Sequence, residues 1–266
     1  VGSVDQGPAR LGEGDGRKPH RHAIDRADTR MLGAPAAHGD RLVFTYDNDL
    51  WLSARDGGPA RRLTQAPGTE QRPRFSPDGR WLAFSADYHG NVDVYVMPAD
   101  GGEVRRLTWH PGVDLVRGFA PGGDIVYESQ EGPFTTRLGA LRTLPVTGGA
   151  STRLPVPSGS RAAISPDGKT LAYTPNRDGF AQWKHYRGGA QSRIRLLDLA
   201  DLSVRDLPKP ATGSNDTEPL WLGETLYFAS DRDGEFNLYR YDAAENAVAA
   251  VTRHVDFPVR TPSATD

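Results

Sequence analysis

The chain has 266 residues, with 32 Lys and Arg against 34 Asp and Glu and a formal net charge of -2. That balance excludes the basic field of a nucleic-acid surface, and no nucleic-acid partner is expected. Cysteine is absent, which rules out a disulfide framework, thiolate catalysis and cysteine-bound zinc, and fits a reducing, cytoplasmic compartment.

Apolar runs are only a few residues long, so no membrane partner is expected either. The 30 glycines and 21 prolines follow no collagen-like period and are what many short strands and turns require. Residues 1–30 are polar, rich in Gly and Arg, and lack the apolar core of a signal peptide; they read as a disordered leader. Within it, GEGDG has no strand before it and is a flexible segment rather than a phosphate loop. His20 and His22 of KPHRH belong to a solvated tail rather than a metal site.

From residue 31 onward one unit recurs. DGGPARRLT, DGGEVRRLT, TGGASTRLP, LSVRDLP and NAVAAVTRH place Leu63, Leu107, Leu154, Leu207 and Val251 at successive spacings of 44, 47, 53 and 44 residues. Periods in the forties point to four-stranded propeller blades. Inside each unit a turn such as FSPDGR, FAPGGD or ISPDGK leads into an apolar strand such as WLAFSAD or TLAYTPN. Proline second and glycine fourth suit a type I turn and hence a hairpin. A third strand follows (NDLWLSA, NVDVYVMPA, LGALRTLPV, RIRLLDLA or NLYRYDA), and then a polar or glycine-rich turn and the fourth strand.

In NVDVYVM, the alternation puts Val92, Val94 and Val96 on one face and Asp93, Tyr95 and Met97 on the other. Groups fit for burial on both faces suit a blade covered by neighbours on each side. No segment keeps a 3.6-residue apolar period over three turns. The reading is all-β: a propeller of about five four-stranded blades, at 31–66, 67–111, 112–157, 158–212 and 213–255, with 256–266 as the first strand of a sixth. A propeller lacking a blade exposes sheet faces and edges, so such a chain is expected to be truncated and less stable than its parent.

The repeat F-S-P-D-G-R-x-L-A-F, followed by D-V-Y-V-x-P-A-x-G-G-E-x-R-R-L-T-x-H-P-G, resembles the Trp-Asp-like propeller repeat shared by TolB periplasmic proteins, prolyl-oligopeptidase relatives and tricorn peptidases. WKHYRGG, at Trp183 to Gly189 and present in one unit only, resembles an insertion in the first, six-bladed propeller of tricorn peptidases. HGDRLVFTYDNDLWL (His38 to Leu52) and SDRDGEFNLYRYD (Ser230 to Asp242) resemble further segments of that propeller, and the similarity runs from Met31 to Asp266.

The resemblance implies a non-catalytic propeller of a large cytoplasmic serine peptidase, gating oligopeptides to or from a catalytic chamber. Its implied partners are oligopeptides, the remaining domains of the parent peptidase, and further copies of that parent in a homo-oligomer. The family's nucleophilic serine, its histidine and its substrate-terminus residues lie C-terminal to this propeller, so no catalytic residue, cofactor or metal is carried over. The alternative is a TolB-like propeller acting as a protein-interaction module.

A search for catalytic patterns agrees: there is no G-x-S-x-G, H-E-x-x-H, P-loop or C-x-x-C. His110 and His254 fall at equivalent places in LTWH and VTRH, which repeat architecture explains. DRDGE at Asp231 departs from a calcium loop at its sixth and twelfth positions, Phe236 and Asp242, and reads as a surface hairpin turn. The insert supplies the candidate contact residues Trp183, Lys184, His185, Tyr186 and Arg187. The aromatics offer stacking area or a plug for a long connection, and the cations offer contacts to peptide carboxylates or to another domain.

Overall fold

A computed structural model describes residues 32–132, 138–178 and 183–264. The leader read at residues 1–30 lies outside the described residues, as do Asp266 and the residue before it. Twenty strands form five antiparallel four-stranded sheets, each a meander in chain order, and together they make a β-propeller. The sheets comprise β1–β4 (Gly33–His38, Arg41–Tyr46, Asp49–Ala54, Arg61–Arg62) and β5–β8 (Glu70–Phe75, Trp81–Ala86, Asp93–Pro98, Arg105–Arg106). They continue with β9–β12 (Asp114–Phe119, Ile125–Ser129, Ala140–Leu144, Thr152–Arg153) and β13–β16 (Ala162–Ile164, Thr170–Tyr173, Arg195–Asp198, Val204–Asp206), and end with β17–β20 (Asp216–Leu222, Thr225–Ser230, Asn237–Asp242, Ala247–Ala250). No helix among the described residues is long and apolar enough to cross a membrane.

The core lies between blades, because the strand alternation sends neighbouring residues to opposite neighbours. Leu82, Phe84, Tyr95 and Met97 of the second blade pack with Val43 and Leu50 of the first. Ala83, Val94 and Val96 pack instead with Val116, Ile125 and Tyr127 of the third. The two faces read from NVDVYVM are therefore the two sides of one blade. The third and fourth blades share Val126, Leu141, Leu171 and Leu197, and the fourth and fifth share Ala172, Leu196, Phe228 and Tyr239.

The repeated R-R-L-T has a physical explanation. Only its two arginines form the fourth strand; the following Leu63 and Leu107 donate their N–H groups to the carbonyls of Leu50 and Val94 at 2.7 and 2.8 Å. Thr64 and Thr108 then turn their hydroxyls inward to accept from the N–H groups of Leu50 and Val94 at 2.9 and 3.0 Å. The arginines pair back to the head of the third strand, Arg62 with Asp49 and Arg106 with Asp93, the latter at 2.5 Å. In the fifth blade, Thr252 accepts from Leu238 N–H at 3.0 Å, whereas the third and fourth blades carry Pro155 and Pro208 where the threonine would stand.

The Ser-Pro-Asp-Gly hairpins repeat atom for atom. Ser76 and Ser165 accept from Gly79 and Gly168 N–H at 2.9 and 2.8 Å through their carbonyls. Their hydroxyls each donate to Asp78 or Asp167 at 2.5 Å and accept from Trp81 or Thr170 N–H at 2.9 Å. Both glycines have positive φ, 67° and 73°.

Residues 256–264 form no ladder of their own. Thr261, before Pro262, has positive φ, 41°. The segment docks on the fifth blade, where Val259 N–H donates to Phe236 C=O at 2.8 Å.

The two hairpin glycines separate conformational strain from collision. A Cβ on Gly168 would meet nothing within 4 Å, whereas one on Gly79 would lie 2.3 Å from the His38 ring and 2.6 Å from Arg41. Gly168→Ala should lower stability by about 1 kcal/mol, the cost of positive φ alone. Gly79→Ala should lower it more, and urea denaturation of the two variants would show equal losses if the first and second blades do not pack as described.

Candidate functional site

The inner strands β1, β5, β9, β13 and β17 stand beside one another in that order. They enclose an axial cavity of about 620 Å³, whose wall is joined by Pro262, Ser263 and Ala264. Three of these strands share one irregularity. The ladder slips between Gly33 and Ala36, between Gln71 and Arg74, and between Thr217 and Leu220, so each carries a β-bulge. In each, a non-glycine residue before a proline has positive φ: Ala34 at 45°, Arg72 at 56° and Glu218 at 49°. Such backbone stores roughly 1–3 kcal/mol of strain per residue and clusters at functional positions.

The consequence is a charged constriction. Arg72 and Glu218 both line the cavity, with Arg72 Nη1 3.6 Å from Glu218 Oε1. Arg161, immediately before β13, completes it, its Nε 3.2 Å from the same oxygen and its Nη2 2.9 Å from Asp178 Oδ2. A second cavity of about 120 Å³ is also lined by Arg72, Arg161 and Glu218, so these three side chains stand between two axial spaces.

Behind this layer, β9 contributes Arg117 at a fourth bulge, where the ladder slips between Val126 and Tyr127. Its guanidinium is almost wholly buried, with 4% of the side chain exposed, and pairs with the fully buried Glu128. Glu128 also accepts from Arg177 Nε at 2.7 Å and from the Ser160 hydroxyl at 3.0 Å. Burial alone would push the Glu128 carboxyl up, but Arg117 and Arg177 outweigh it and hold it at about 2. Burial likewise opposes the charge of Glu218, and Arg161 and Arg72 again win, keeping it below the usual carboxylate range. For Arg117 the balance falls the other way: burial and the Arg161 charge depress it more than Glu128 restores it.

None of Arg72, Arg117, Arg161 or Glu218 was singled out by motif reasoning. A signal was present: a charged residue in an otherwise strand-like inner segment, and a proline at Pro35, Pro73 and Pro219 shortly before a turn, where a ladder proline marks a bulge.

The insert lies elsewhere, between β14 and β15. Lys184 Nζ is 2.5 Å from Glu235 Oε1; His185 sits 3.6 Å from Asp231 Oδ2 and 3.5 Å from Glu235 Oε1. Arg187 donates to Asp231 Oδ2 at 2.8 Å, and Tyr186 C=O accepts from Asn215 Nδ2 at 2.9 Å. Tyr186 packs on Ala229 and Phe236, whereas Trp183 remains 61% exposed. The loop thus ties the fourth blade to the fifth through two carboxylates. The DRDGE segment is indeed a turn, but Asp231 is fully buried rather than on the surface, because it also accepts from Asn215 N–H at 2.6 Å.

Glu128 gives a test of the buried network. Glu128→Gln leaves Arg117 buried without a counter-charge and should cost about 3–5 kcal/mol in urea denaturation. A carboxyl held at about 2 in the fold and 4.5 when unfolded contributes stability above pH 4.5 that disappears as pH falls toward 2. Wild-type stability should therefore drop over that interval more steeply than that of Glu128→Gln, and parallel pH profiles would refute the assignment.

Comparison with known proteins meets this geometry. The family model described as the tricorn protease N-terminal beta propeller domain matches residues 29–266. The chain is 33% identical over 209 residues to tricorn protease homolog 1 of Streptomyces coelicolor, covering 78% of this chain and 19% of that protein. It superimposes on a crystal structure of the tricorn protease with a TM-score of 0.77 at 24% identity, covering 88% of this chain and 23% of that one. TolB from Acinetobacter baumannii shares the fold at a TM-score of 0.66 and 19% identity, over 88% of this chain and 57% of its own. The chain spans about a fifth of the length of the curated tricorn relatives it matches. A family match over nearly the whole of the five blades, together with the same architecture, shows that this chain belongs to the tricorn protease N-terminal β-propeller family.

Proposed function

We propose that this chain is the passage propeller of a tricorn-type serine peptidase: a domain without catalytic residues of its own, whose axial channel meters oligopeptides moving to or from a catalytic chamber in the rest of a cytoplasmic, oligomeric parent. The observation that carries this reading is the axial cavity narrowed by Arg72, Arg161 and Glu218. A space of about 620 Å³ falls within the 300–1,000 Å³ range of small-ligand sites and accommodates a short peptide segment. Its ion-paired floor resists passage until those pairs are exchanged for contacts to the passing chain. The loop from Trp183 to Arg187 adds a second surface: its cations are engaged within the domain, while the exposed Trp183 offers a face for a neighbouring domain.

The test uses the full-length peptidase that contains this domain. Ala37 and Ala163 line the cavity, and enlarging either to Trp fills the channel without touching the ion pairs. Ala37→Trp and Ala163→Trp should slow turnover of long oligopeptides several-fold and leave a chromogenic dipeptide amide close to wild type. Unchanged rates for both substrates in folded variants would overturn the passage role.

A further inference from the structure

The axial cavity carries more positive charge than the fold neutralises. Arg72, Arg74, Arg117 and Arg161 line it, and Glu218 is the one carboxylate among the described lining residues. Glu128 and Asp178 stand behind the wall, but Arg177 shares Glu128, so five guanidinium groups face three carboxylates. The excess is visible atom by atom. Arg117 gives Nη2 to Glu128, while its Nε and Nη1 are buried without a hydrogen-bond partner. Arg161 uses Nε and Nη2 on Asp178 and leaves Nη1 buried and unbonded. Arg74 spends Nη1 on the neighbouring Pro73 carbonyl at 2.8 Å.

Buried charged donors without acceptors are expensive, and a guanidinium N–H matches a carboxylate oxygen in charge and as a hydrogen-bond donor. Phe75, Phe119, Ile164, Leu220 and Trp221 give the cavity an apolar stretch of wall. The cavity therefore pairs a basic floor with an apolar side. We propose that it contains a carboxylate-binding subsite, with Arg117 and Arg161 as direct donors, Arg72 and Arg74 supplying the surrounding field, and the apolar wall receiving the group attached to the carboxylate. The electrostatics agree: burial and the charges of Arg117 and Arg161 weaken the proton affinity of Arg72, as expected where cations lack a counter-ion. This inference rests on the passage reading only for the source of the carboxylate, a peptide.

The probes are N-acetylleucine, N-acetylleucinamide and N-acetylaspartic acid α-amide, titrated into this chain and followed by calorimetry and by the arginine Nε–H resonances. N-Acetylleucine should bind at least tenfold more tightly than its amide and shift the Arg117 resonance. Binding of the aspartic acid amide as well would extend the source to acidic side chains, whereas its failure would restrict the site to chain termini; either result supports the subsite. Arg117→Gln should abolish the preference for the acid. Because that variant removes one of the two cations paired with buried Glu128, Arg72→Gln, which leaves the Arg117–Glu128 pair intact, provides the second reading and should reduce affinity for the acid several-fold. Equal binding of acid and amide to the wild-type chain, or a preference unchanged in Arg72→Gln and in folded Arg117→Gln, would overturn the proposal. A carboxylate preference that persists while the Trp-filled channel leaves long-peptide turnover untouched would remove the passage function and keep the subsite.

Discussion

The second, third and fourth sheets are packed with apolar residues on both faces, and that requirement governs the rest of the structure. A four-stranded meander cannot cover both of its own faces, so each blade must be flanked, and the core consists of seams between blades rather than of any blade's interior. Twisted sheets stacked face to face around an axis leave space at their inner edges. What fills that space is decided by the first strand of each sheet.

The blades accordingly divide into uniform and individual parts. Hairpin, third strand and the short fourth strand are nearly interchangeable: the Ser-Pro-Asp-Gly turns agree within 0.1 Å in their internal hydrogen bonds. Individuality concentrates in the inner strands and in the connection from Trp183 to Gly189. That connection joins two blades through Asp231 and Glu235, each of which meets one cation, Arg187 or Lys184, and the His185 ring. An isolated exposed pair would contribute little; a fully buried acceptor such as Asp231, with three donors from Arg187 and Asn215, binds its loop firmly.

Much of the architecture was legible in the sequence because repetition is itself information. The spacing of Leu63, Leu107 and Leu154 gave the blade, and the alternation through Val94 to Met97 gave the two seams on either side of it. The channel was not legible. Arg72, Arg117, Arg161 and Glu218 are distant in the chain and differ in type; Arg72, Arg117 and Glu218 occupy inner strands whose alignment is blurred by bulges, and Arg161 precedes β13, so no motif links them.

The bulges at Ala34, Arg72 and Glu218 also bear on how such a channel can diversify. Each inserts a residue into the inner strand alone, while the ladder on its outward side resumes in step with the second strand. The side chain at that point has no cross-strand partner and no place in the seams between blades. Alanine, arginine and glutamate therefore occupy the same structural niche in three blades of one molecule. A protein built this way can rewrite the charge along its axis by single substitutions, leaving the packing that holds the ring together unaltered.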